Sequence, residues 1–452
     1  MNEPENRTTI GRRTLLAGAA GTVGVSVLSM TAAGTTPAQA AAARPAEATG
    51  ARPAEAAATR AYPPNWPAPV PYGVADTRED LWPREDNSFV LPLELRPRDK
   101  ELGRVWMRDT YVNCFRVNGR PLYVATGTSR VPGLTAAGPW NDGIFVWTAP
   151  SLHGPWRLAD TTRFRPRAER GKVWSPEFVG ENRPGRTVVA PWQEYWYDDE
   201  FGKRGQAWAP ELHRFRGKWY LVACMGDHSR KVGSFVLVSD GGVAGPYRLV
   251  KGNLDKPFGD SFIGGPSFIE PGAYHHIDGS IYTEGRDAWL VLHNHLYAKF
   301  RDDMEDIVPT TNLPLFKQTP YAPEPYLEGA YVFKYGGKYY LVHAAWDRES
   351  AVEGSTRNAY TPNGTQYQYD AVVAVADRFE GPYSPRWTAG VGAGHNNFFE
   401  DHKGGVWSTF FRNPAFGHWA DPSRASDAAV PGVARLEWTG PKGNRLYVRR
   451  QS

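Results

Sequence analysis

Along most of this chain apolar residues come in short runs, often alternating with polar ones, and the runs are broken by Gly, Pro, Asn and Asp. Helical spacing is almost absent. Residues 327–342, LEGAYVFKYGGKYYLV, show the unit most clearly. A carboxylate, Glu328, heads an apolar run. Gly336 and Gly337 supply a tight turn, because a residue without Cβ reaches positive φ at little cost. Tyr339 to Val342 then form an aromatic and β-branched run suited to a half-buried strand. The unit is a β-hairpin whose first strand begins with an acid.

The same pattern recurs four more times. Asp109 precedes the run 111–115 and the turn Asn118-Gly119. Glu211 precedes 212–215 and Gly217. Asp278 precedes 279–282 and Gly285. His395 precedes 396–399 and Gly404-Gly405. A unit repeated five times predicts an array. Four-stranded units set radially make a β-propeller, with only short protected edges. The expected fold is therefore all-β, a five-bladed propeller with blades near 100–165, 170–250, 258–320, 325–390 and 391–450. The residues heading the inner strands would then meet at one end of a central funnel. A second repeat supports the count: His153-Gly154-Pro155-Trp156, Ala244-Gly245-Pro246-Tyr247 and Glu380-Gly381-Pro382-Tyr383 read as turns between the third and fourth strands of blades one, two and four. Glu79 to Lys100 fits no blade. Residues 300–320, with several acids close together, read as a solvated loop at the funnel mouth, or as a calcium loop without EF-hand spacing.

The N-terminal region has a different composition. Arg12-Arg13, an apolar Ala- and Gly-rich stretch from Leu15 to Ala33, and Ala38-Gln39-Ala40 read as a twin-arginine export signal over residues 1–40. Residues 41–62, rich in Ala and Pro, read as a disordered linker. The folded domain is expected over 63–452, and the mature protein outside the cell.

Charge narrows the partners. The 52 basic and 48 acidic residues give a net charge of +4, with no basic run outside the leader, so neither nucleic acid nor a membrane surface is an expected partner. A monomer is expected. Two cysteines, Cys114 and Cys224, are too few for a disulfide scaffold; both fall on expected strands, and one bond between them stays open. Aromatics make up 13% of the chain, with 17 Trp. Most should fill the core, while Trp147, Trp174, Trp208 and Trp346 are candidate sugar-stacking platforms.

Carboxylates converging from different strands are the equipment of glycoside hydrolysis. One must hold a proton for the leaving oxygen, and another must activate water or attack. An inverting enzyme keeps roughly 6.5–9.5 Å between the two so that a water fits. Here the motifs resemble a known family. Trp208-Ala209-Pro210-Glu211-Leu212-His213 with Gly217-Lys218-Trp219-Tyr220-Leu221 is similar to glycoside hydrolase family 43, five-bladed propellers that act on arabinose-, xylose- or galactose-containing plant polymers. Met107-Arg108-Asp109-Thr110 resembles the segment of the family's general base. His276-Ile277-Asp278-Gly279-Ser280 resembles that of the aspartate that tunes the acid, and Leu327-Glu328-Gly329-Ala330 that of the general acid. Gly394-His395-Asn396-Asn397 resembles the segment whose histidine helps hold a central metal ion, often calcium. Thr110 and Ala330 stand where the family often has proline, which leaves the substrate open.

The resemblance implies that Asp109 is the base, Asp278 the modulator and Glu328 the acid of an inverting reaction, with carbohydrate as the partner. Glu211 is either a structural or a sugar-binding carboxylate at the rim of blade two, with Glu177 of similar context beside it. His395 is either part of a calcium site or a neutral hydrogen-bonding core residue. The expected activity is that of an exo-acting α-L-arabinofuranosidase or β-xylosidase. An endo-acting arabinanase or galactan hydrolase, and a non-catalytic carbohydrate-binding propeller, are the alternatives.

Overall fold

The computed structural model describes residues 81, 83, 86–100, 103–129, 143–175, 197–198, 203–204, 206–226, 233–258, 277–292, 296–308, 327–345, 370–384, 386–411 and 429–450. The leader and linker, Glu177 and Trp346 lie outside them. Among the described residues no helix is long and apolar enough to cross a membrane.

Five antiparallel sheets follow one another along the chain. Their inner strands are Met107–Val117, Gln206–Phe215, Ser280–Glu284, Leu327–Tyr335 and Phe398–Glu400. Each pairs with the strand after it through a tight turn. Asn118 and Gly119, at φ 50° and 76°, and Gly336 and Gly337, at 56° and 77°, have both central residues left-handed, the geometry of a type I′ hairpin turn. Blades one, two and four have four strands each, and the described part of blade three has three.

Strand alternation explains how the sheets stack. Tyr339 and Leu341 enter a core shared with Tyr282 and Val291 of blade three, whereas Tyr340 and Val342 enter the core on the other face. Likewise Tyr220 and Val222 pack toward Ile281 and Leu290, while Trp219 and Leu221 point the other way. A further core joins Val112 and Tyr123 of blade one to Phe399 and Val433 of blade five. Every blade is thus apolar on both faces and buried between two neighbours, which is the propeller arrangement. At about 25 cal/mol per Å² of apolar surface buried, these interfaces are the main stabilising term.

The segment that fitted no blade has a role. Ser88–Val90 pairs with the third strand of blade five, Gly432–Trp438, along Gly432 to Ala434; the C-terminal strand Leu446–Val448 pairs with the rest of it. The ring is closed by strands from both ends of the folded region.

The Gly-Pro repeats sit between third and fourth strands in blades one, two and four, as expected. In each, the aromatic after the proline is buried and its polar tip donates to the carbonyl four residues earlier: Trp156 to Leu152, Tyr247 to Val243 and Tyr383 to Phe379. The acidic segment 300–308 is not at the funnel mouth. It follows the third strand of blade three, Leu296–Lys299, at the end of the blades opposite Asp109. There Glu305 pairs with Arg248, and Asp303 and Asp306 cap nearby backbone amides. These three carboxylates serve an ion pair and turn hydrogen bonds, and residues 309–320 of the expected loop lie outside the described residues. Cys114 and Cys224 are both free.

Candidate active site

Each inner strand, or the residues just before it, holds one left-handed residue: Asp109 at φ 52°, Ala209 at 45°, Asp278 at 55°, Gly329 at 64° and His395 at 48°. In blades one, two and four a register shift accompanies it, between Arg108 and Tyr111, Trp208 and Glu211, and Glu328 and Tyr331. A bulge with positive φ re-aims side chains and ends regular pairing. Only Gly takes this conformation freely, so four non-glycine residues there store strain, as functional sites often do.

These bulges gather side chains from four blades. His395 Nδ1 lies 3.4 Å from Asp109 Oδ1 and 3.8 Å from Glu328 Oε1. Asp278, Glu328 and His395 each offer an atom within 4.8 Å of the others. Asp278 is the most buried of the carboxylates; its Oδ2 accepts the N–H of Gly329 at 3.1 Å. Asp109 Oδ2 accepts the Thr128 hydroxyl at 2.6 Å. The side chains of Asp109, Glu328 and His395 remain 11%, 13% and 12% exposed, so the cluster is recessed and still reached by solvent.

Burial opposes charge on His395, but Asp109, Asp278 and Glu328 outweigh it and push its pKa up to about 10. The three carboxylates around it favour the charged imidazolium over the neutral ring. Asp278, Glu328 and His395 lie close enough together to hold a metal ion, with water to complete its ligands. Calcium takes six to eight oxygens; this set offers two carboxylates and an imidazole nitrogen, and Asp278 also accepts a backbone amide. No step below is routed through a metal.

Glu211 is not at the rim. It lies two residues past its bulge, in a second tier beneath the cluster with Tyr111, Ser280, Tyr331 and Asn397 of the other blades. Glu211 Oε2 accepts from Ser280 Oγ at 2.6 Å and meets His213 Nε2 at 2.8 Å. Asn397 exchanges two hydrogen bonds with the backbone of Val112. Burial keeps the Tyr111 and Tyr331 phenols neutral, their pKa values raised well above the ordinary range, and the Glu211 charge pushes the same way. This polar tier floors the funnel. Cys224 is also held as a neutral thiol, by burial and then by Asp278.

The tryptophans separate. Trp147 and Trp174 are fully buried, and Trp147 donates its indole N–H to the Glu94 carbonyl, so neither can stack on a sugar. Trp208 is half-buried, one residue before its bulge, the position Glu328 has in blade four. Thr128 carried no signal in the sequence; it lies far from any hairpin head and reaches Asp109 only through strand pairing. A separate cavity of about 500 Å³, lined by Phe89, His153, Trp407, Arg435 and Arg449 among others, opens at the seam of blades five and one. It adjoins turns at the end of the blades opposite the carboxylates.

The family model "Glycosyl hydrolases family 43" matches residues 187–439, over half of the chain. No curated protein matches. Similar solved structures include one described as a glycoside hydrolase (15% identity, 77% of this chain and 63% of that one, TM-score 0.47). Others are the GH43 BlXynB protein from Bacillus licheniformis (14%, 80% and 57%, 0.45) and a GH43_1 enzyme from Xanthomonas citri (13%, 81% and 96%, 0.49). The chain thus spans less than two thirds of the length of the first two.

Proposed function

The chain belongs to glycosyl hydrolases family 43 and is a glycoside hydrolase, and from that premise we propose a secreted, inverting, exo-acting enzyme of the α-L-arabinofuranosidase or β-xylosidase kind. The observation that carries the mechanism is the cluster itself: Asp109 and Glu328, from different blades, face the one imidazole ring of His395 at 3.4 and 3.8 Å. Two carboxyl groups that reach one recessed site from different blades can divide the acid and base roles between them.

In the proposed reaction Glu328 gives its proton to the glycosidic oxygen as that bond to the anomeric carbon breaks. A water held by Asp109 attacks the same carbon from the opposite face. Its oxygen forms the new bond and its proton passes to Asp109. His395 sits between the two groups and orients them in the recessed site. Asp278, anchored by the Gly329 amide, fixes the segment that carries Glu328. Trp208, level with Glu328, is the ring offered to the sugar.

The test is a substrate panel: aryl α-L-arabinofuranoside, aryl β-D-xyloside, arabinan, arabinoxylan and galactan, with NMR of the first-formed product. Release of one sugar as the inverted anomer, abolished in Glu328→Ala, is expected. A retained anomer overturns the mechanism. Internal cleavage of arabinan or galactan replaces exo action with endo action. Binding without cleavage moves the protein to the carbohydrate-binding alternative.

A further inference from the structure

The two aspartates of the cluster are each held by the next blade. Asp278 Oδ2 accepts the amide of Gly329, the left-handed residue of blade four, directly at 3.1 Å. The equivalent residue of blade two is Ala209. Its amide does not reach Asp109; it donates to Thr128 Oγ1 at 2.7 Å, and Thr128 Oγ1 lies 2.6 Å from Asp109 Oδ2. Thr128 stands on the second strand of blade one, opposite Arg108, and is 1% exposed.

The polarity of this chain is fixed. An amide N–H can only donate, so the hydroxyl accepts from Ala209 and has its single proton to give. That proton goes to Asp109 Oδ2. The two oxygens of Asp109 therefore differ: Oδ2 is capped, and Oδ1 faces His395 and the open cluster.

We propose that Thr128 is the positioning residue of the base, and that through it Asp109 presents Oδ1, and only Oδ1, to the attacking water. The proposal rests on Asp109 being the base. Thr128 holds the carboxylate against rotation and ties its orientation to the blade-two bulge. A base displaced by a fraction of an ångström loses its line to the water without loosening the sugar, so the effect falls on turnover and not on affinity.

Thr128→Val keeps the shape and removes the hydroxyl; Thr128→Ser keeps the hydroxyl. On aryl α-L-arabinofuranoside and aryl β-D-xyloside, Thr128→Val is expected to lower kcat about 10- to 100-fold with KM within about 3-fold. Thr128→Ser should recover most of it. Thr128→Ala serves the same purpose should Thr128→Val not fold, as judged by thermal unfolding. A crystal structure of the hydroxyl-less variant should show the Asp109 carboxylate turned, a readout that needs no substrate.

Wild-type kcat in Thr128→Val beside an inactive Asp109→Ala overturns this proposal and leaves the base standing. An active Asp109→Ala overturns the base and the proposal with it. A Thr128→Ser enzyme as slow as Thr128→Val, or an Asp109 carboxylate unmoved in the variant, shows that Thr128 is structural only.

Discussion

Blades two and four begin almost alike. Each has a carboxylate near its head, a left-handed residue, a register shift and a glycine-bearing turn. In blade four the carboxylate, Glu328, precedes the left-handed residue by one. In blade two it is Glu211, which follows by two. That offset sends them to different levels. Glu328 joins Asp109, Asp278 and His395 in the cluster. Glu211 sits beneath, with its Oε2 on Ser280 and His213. The place Glu328 fills in blade four is filled in blade two by Trp208. A carboxylate's chemistry is thus set by its distance from the bulge, because each step along a strand moves a side chain about 3.3 Å down the funnel.

The largest expected effect tests this contrast directly. Glu328→Ala should cost about 10²–10⁴-fold or more in kcat with little change in unfolding temperature. Glu211→Gln should keep kcat within about 10-fold and instead lose about 1–3 kcal/mol of stability, the usual cost of disturbing a buried hydrogen-bonded group. Equal losses of kcat in the two variants would erase the distinction between the tiers.

A smaller effect is expected from the left-handed residues themselves. A Cβ on Gly329 would lie 3.2 Å from the His395 ring, at φ 64°. Gly329→Ala should therefore cost about 1–2 kcal/mol in backbone strain and also displace the imidazolium. Ala209→Gly relieves that strain in blade two while adding glycine's entropy, so its stability should stay within about 1 kcal/mol of wild type. Comparing the two by chemical denaturation sharpens the case that both bulges are strained and that only a side chain at 329 would press on the His395 ring.

A separate expected effect is a pH dependence. The folded protein holds the His395 proton more tightly than the ordinary value of 6.5, up to about 10. A raised folded-state pKa gives stability that is full below about 6.5 and is lost as pH climbs through 10. The stability gap between wild type and His395→Gln should then shrink from pH 7 to pH 10.5. A gap that is constant with pH would mean that the imidazole is not charged in the fold.

Much of the architecture was legible in the chain. Period-two runs and paired turn residues mark the hairpins, and five repeats of one unit predict the propeller. The Gly-Pro-aromatic segments mark the third and fourth strands. Trp147 was not legible as core: an aromatic on a strand looks the same whether it faces a neighbouring blade or a sugar, and only the packing of blades five and one covers it. Ser88–Val90 was not legible either, because its partner strand lies more than 300 residues away.

The sequence by itself determined the all-β pattern, the fivefold repeat and which residues carry titratable groups at the strand heads. Local spacing encodes all three. Tertiary structure alone decided which of those groups meet: that Glu211 drops to a lower tier, that His395 stands among three carboxylates, and that Thr128 stands behind Asp109. Bulge offsets and inter-blade contacts set these, and both depend on side chains distant in the chain coming within a few ångströms.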